Sequence, residues 1–78
     1  MREKKLYCII TFHTTAAAIE TEKLCHEAGL PGRLIPVPRE ISSSCGMAWR
    51  CSTGSREEVS ALIQREKVEV DGFYELVI

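Results

Sequence analysis

Apolar and polar positions follow two periods along this chain, and the period switches mark six elements. Leu6 to Phe12 is rich in β-formers and reads as a strand. His13-Thr14-Thr15 interrupts it, and either threonine can cap the helix that follows. That helix is predicted over Thr15 to Ala28. Ala17, Ala18, Thr21, Leu24, Cys25 and Ala28 share one face at helical spacing, while Glu20, Glu22, Lys23 and Glu27 lie outside it. Gly29 supplies a stop and Pro31-Gly32 a turn. Arg33 to Val37 reads as a second strand, confined to a sheet edge because Pro36 and Pro38 cannot donate to a ladder. Arg39 to Cys45 is a polar loop carrying Ser42, Ser43 and Ser44. Met47 to Cys51 alternates as a third strand, with Met47, Trp49 and Cys51 on one side and Ala48 and Arg50 on the other. Ser55-Arg56-Glu57-Glu58 has the form of a capping box. The helix it opens, Arg56 to Glu66, buries Val59, Leu62 and Ile63. Asp71-Gly72 turns into a last strand, Phe73 to Ile78.

The order is βαββαβ, with short connections and one apolar stripe per helix. The economical arrangement is an α+β, ferredoxin-like sandwich: a four-stranded antiparallel sheet with two helices on one face. A length of 78 residues suits one domain, 1–78, with one core. The open face of such a sheet would carry Tyr7, Ile9, Ala48, Phe73 and Val77, an apolar set that invites a homodimer or a docked partner.

Composition narrows the function. The net charge of −1, with charges interspersed, gives no electrostatic case for nucleic acid. No apolar run approaches the ~18 residues of a membrane span. Leu6 to Phe12 is too short and β-branched for a signal peptide, so a cytoplasmic location is expected. There the four cysteines, Cys8, Cys25, Cys45 and Cys51, are expected as thiols. Their spacings of 17, 20 and 6 contain no close pair of the zinc-binding kind, and a metal site would have to recruit His13 or His26. No metal is expected. No glycine-rich phosphate loop is present, because Cys51-Ser52-Thr53-Gly54-Ser55 lacks the lysine and the length.

The candidate chemistry centres on Cys45. In the expected topology the first and third strands are adjacent and antiparallel. The end of the first strand, His13-Thr14-Thr15, therefore shares a sheet edge with Cys45 at the start of the third. A helix N-terminus there offers unpaired N–H groups to an anion, a thiolate included. Ser44 and its neighbours can donate hydrogen bonds, and Gly46 removes bulk beside the sulfur. Arg39 and Arg50 bring positive charge into the same loop and strand, and His13 is a candidate base. Cys8 shares strand parity with Leu6, Ile10 and Phe12, and Cys25 lies on the buried helix stripe, so both read as core. Cys51 shares parity with Met47 and Trp49. It reads either as core or as a resolving thiol for Cys45.

The run Ile35-Pro36-Val37-Pro38-Arg39-Glu40-Ile41-Ser42-Ser43-Ser44-Cys45-Gly46-Met47-Ala48-Trp49-Arg50 resembles the signature of the selenium/sulfur carrier-like family of small bacterial and archaeal domains. The start, Tyr7 to Glu22 with its Phe12-His13-Thr14-Thr15 corner, is similar too. The resemblance implies a role near selenium or sulfur delivery with Cys45 as the carrier position. Cys51 departs from the pattern, standing where a bulkier apolar residue is expected. On this reading Cys45 accepts a chalcogen atom as a persulfide or selenosulfide and passes it to an acceptor protein. A cysteine desulfurase-type protein would be the donor. The protein is then a carrier or accessory rather than a turnover enzyme, with no cofactor beyond the sulfur or selenium it carries. The alternative is a non-catalytic interaction or regulatory module that uses the open sheet face.

Overall fold

A computed structural model of the chain describes residues 5–41 and 45–77. The elements are β1 (Leu6–Thr11), α1 (Thr15–Glu27), β2 (Arg33–Pro36), β3 (Met47–Ser52), α2 (Arg56–Glu66) and β4 (Gly72–Val77), with a 3-10 turn over Thr53–Ser55 before α2. The sheet is four-stranded in the order β2-β3-β1-β4, and every pairing is antiparallel. This is the expected α+β ferredoxin-like arrangement. β2 takes an edge, where its proline costs no ladder bond.

Local chemistry accounts for the helix ends. Thr14 sits in extended backbone and its hydroxyl accepts the Ala17 N–H at 3.1 Å. At the other end Gly29 turns left-handed (φ +75°), Gly29 N–H donates to His26 at 3.2 Å and Leu30 N–H to Cys25 at 2.9 Å. Those two bonds form a Schellman stop. α2 ends on the same pair of bonds, Lys67 to Gln64 and Val68 to Ile63, but its left-handed residue is Lys67 (φ +57°). The predicted capping box at α2 does not form. Ser55 is already helical (φ −95°, ψ −3°) and makes no side-chain cap; its hydroxyl meets that of Ser52 at 3.1 Å. The intervening 3-10 turn takes the place that an extended N-cap residue would need.

The helices cover one face. There Cys8, Ile10, Phe12, Trp49 and Cys51 pack against Ala17, Ala18, Cys25, Val59, Leu62 and Ile63. The Thr21 hydroxyl, buried on α1, donates back to the Ala17 carbonyl at 3.0 Å. The core of the opposite face differs from expectation. β4 pairs Phe73 with Ile10 and Val77 with Leu6, so both belong to the helix side, and Tyr74 and Leu76 face the other way. Apolar residues stand at both parities of Phe-Tyr-Glu-Leu-Val, so only the pairing register decides which set turns inward. On the open face Ile9 and Ala48 are fully buried. A turn closed by Ile41 N–H donating to Pro38 at 3.0 Å brings Ile41 back onto the sheet. Ile41 packs there with Ile9 and Ala48, flanked by Tyr7, Ile35, Val37 and Leu76. No described helix is long and apolar enough to cross a membrane.

Candidate functional site

Cys45 stands two residues before β3. The β1–β3 ladder ends at Thr11 opposite Ala48. The chain leaving β1 for α1 and the chain entering β3 from Cys45 therefore meet at one edge of the sheet. Cys45 is half-buried on the helix side of that edge, against Met47 and the core cluster. The other three cysteines are buried, and none of the four is in a disulfide.

A short turn orients the sulfur. Gly46 adopts φ +76°, a conformation that side chains rarely accept, and its carbonyl receives the Val37 N–H at 3.0 Å. The turn folds Met47 back toward Cys45: the Met47 N–H lies 3.4 Å from Sγ, and Sγ lies 3.3 Å from the Met47 carbonyl oxygen. In the first contact the sulfur accepts a hydrogen bond, and in the second it donates one. Space is not what Gly46 supplies, since an added Cβ would meet nothing within 4 Å. Its role is the left-handed backbone itself.

The remaining candidates disperse. Thr14 caps α1 and Thr15 is its first residue. His13 Nε2 lies 3.6 Å from Asp71 Oδ1, on the β4 side of β1, whereas Cys45 enters on the β3 side. The same aspartate has Oδ2 3.4 Å from the Thr11 hydroxyl, and its N–H donates to the Thr11 carbonyl at 2.8 Å. Asp71, which sequence reasoning used only as a turn signal, is thus the partner of His13. Arg50 shares the open face with Ala48 and stacks over the Tyr7 ring at 4.5 Å, away from the face that holds Cys45. Arg39 is exposed in the Pro38–Ile41 turn. Ser44 lies outside the described residues. Ile41 was the missed contributor. It anchors the loop leading to Cys45, and its signal was a single isoleucine in an otherwise polar stretch.

Cys51 finds a partner other than Cys45. It is in register with Cys8, and both lie in the buried cluster on the helix face. From Met47 to Cys51 alone the strand advances about 13 Å, so Cys51 cannot resolve Cys45 while β3 is intact. Within the pair the first proton leaves from Cys8, whose thiol is lowered chiefly by a hydrogen bond from Cys51 and also by Arg56, against burial and the charge of Glu75. The second is held hard, because the bond to Cys8 and then burial push Cys51 far up. Burial pushes Cys25 up as well.

A groove of about 710 Å³ is lined by Thr14, Ile19, Lys23, Lys67 and Glu69, not by Cys45. Among the described residues no group of three or more His, Cys, Asp or Glu could hold a metal ion.

The family described as "Putative Se/S carrier protein-like" matches residues 7–75. The chain belongs to this family. Neither the curated proteins nor the solved structures yielded a match. Within the Ile35–Arg50 block, the described residues form the end of β2, the Pro38–Ile41 turn, the glycine turn and the start of β3.

Proposed function

We propose that this Se/S carrier-like protein accepts a sulfur or selenium atom on Cys45 and passes it to an acceptor protein. In the loading step the Cys45 thiolate attacks the outer sulfur of a donor persulfide, the kind formed on a cysteine desulfurase. The donor's S–S bond breaks, its thiolate leaves, and the outer sulfur remains on Cys45 as a persulfide; no net oxidation occurs. Selenium would load by the same exchange. One observation carries the reading: of the four cysteines Cys45 alone is not buried, and it stands on a glycine turn where β3 begins. Ser44, His13, Arg39 and Arg50 have no assigned step in this chemistry; Gly46 shapes the turn beside the sulfur, and Thr14 and Thr15 cap and open α1.

The interaction-module alternative rested on an apolar open face. Two of its five residues, Phe73 and Val77, lie on the helix side, and Ile41 packs over Ile9 and Ala48. That patch therefore no longer favours it. The carrier reading is tested by intact mass after incubation with a cysteine desulfurase and cysteine. One added sulfur, lost in Cys45→Ser, supports it. No added sulfur, or equal loading of Cys45→Ser, refutes it.

A further inference from the structure

We propose that Cys8 and Cys51 form a second thiol centre, a reversible disulfide site oxidised by hydroperoxides and independent of Cys45. Cys8 and Cys51 oppose each other across the two central strands, on the helix face. Directly opposed residues of an antiparallel ladder have Cα atoms about 4.5–5.5 Å apart. That lies inside the ~4.4–6.8 Å range a disulfide spans. Both side chains belong to the same buried cluster, so nothing but the ladder itself separates them.

Simple packing would explain three small buried thiols, and for Cys25 it suffices. Cys8 has more around it. On its other side stands Glu75, its register partner in β4. Glu75 Oε2 lies 3.3 Å from Arg56 Nη1, and these side chains are 42% and 46% exposed. Cys8, itself 0% exposed, is thus flanked on one side by a solvent-facing ion pair whose long side chains can swing away. Arg56 is also the first residue of α2, so a helix N-terminus and a guanidinium stand near this end of β1. Both favour a thiolate on Cys8 against the opposing charge of Glu75, and the Cys51 S–H supports it from the other side.

The chemistry follows from that asymmetry. The Cys8 thiolate attacks one oxygen of hydrogen peroxide, the O–O bond breaks, and hydroxide leaves with Cys8 as a sulfenic acid. The Cys51 sulfur then attacks the sulfenic sulfur, the S–O bond breaks, and water leaves. In sum, two thiols and one peroxide give one disulfide and two waters. Two molecules of a small thiol such as glutathione reverse it, becoming glutathione disulfide.

The test uses the full chain as Cys45→Ser, so that the half-buried thiol is silent. The protein is treated with hydrogen peroxide, quenched by alkylation and mapped without reduction. The expected product has lost two hydrogens, links the Cys8 and Cys51 peptides, leaves Cys25 alkylatable and reverts with dithiothreitol. Arg56→Ala should slow the link by roughly threefold to tenfold, the thiolate fraction lost with a nearby cation. Recovery of Cys8 and Cys51 as thiols would overturn the proposal. So would loss of Cys25 at the same rate, since that marks oxidation through unfolded chain. Neither outcome touches sulfur loading at Cys45, which is read separately.

Discussion

The two ends of the β1–β3 pair hold cysteines in opposite circumstances. At one end Cys45 precedes β3 on a left-handed glycine, half-buried, with its sulfur against the backbone of Met47. At the other end Cys8 and Cys51 face each other inside the ladder, under the start of α2. The same side chain thus serves as a half-buried group in a turn and as a packed, directly opposed pair in the core. The difference is made by backbone, since one is placed by a turn that ends pairing and the others by the pairing itself.

Removing the loop anchor should show the largest effect. Ile41→Ala takes a nearly buried side chain off Ile9 and Ala48, and a loss of roughly 2–3 kcal/mol is expected in urea unfolding. A loss under about 0.5 kcal/mol, the level of an ordinary surface change, would mean that the Cys45 loop is not pinned to the sheet.

The thiols themselves come next. Cys8→Ser and Cys25→Ser each place a hydroxyl in a buried apolar site and should cost about 1–3 kcal/mol. Cys45→Ser should stay within about 0.5 kcal/mol. Equal losses at all three positions would erase the contrast between the two ends.

Alkaline pH sharpens the same contrast. Cys25 and Cys51 are raised in the folded protein, so above the ordinary thiol range of about 8.5 the unfolded chain releases protons that the native state still holds. Stability from these groups is full below that range and falls as pH rises through it. Cys8, lowered, acts in the opposite sense, one group against two. Denaturant midpoints measured from neutral to alkaline pH should therefore fall, and Cys25→Ala should fall less. A midpoint that rises with pH would contradict the assignment.

The smallest effect is expected at Lys67, which holds φ +57° at the end of α2. Lys67→Gly relieves a left-handed strain of about 1 kcal/mol, partly offset by glycine's greater freedom in the unfolded chain. The melting temperature should rise slightly or hold, while Lys67→Val should lower it. A clear drop for Lys67→Gly would show that the lysine side chain matters more than its backbone.

The element order and the edge position of β2 were legible because period, capping threonine and prolines each act locally. The face assignment of β4 was not, because Phe73-Tyr74-Glu75-Leu76-Val77 is apolar at both parities and its register is fixed by partners distant in sequence. Ser55 misled for a related reason: the capping box is a sequence pattern, but a 3-10 turn had already made its backbone helical. At the site, Cys45 and Gly46 stood out in sequence, since a glycine beside a lone loop cysteine is a local signal. The His13–Asp71 contact and the Cys8–Cys51 pairing depend on strand register across 58 and 43 residues of chain, and no local pattern announces them.

Site-resolved alkylation of the native protein tests the central claim most directly. Iodoacetamide is applied at neutral pH without denaturant, and each cysteine is followed by mass against time. The carrier account predicts that Cys45 is modified first, and that Cys8, Cys25 and Cys51 react far more slowly. If Cys45 reacts no faster than Cys8 or Cys25, the thiol at the glycine turn is not the reactive group, and the carrier mechanism fails.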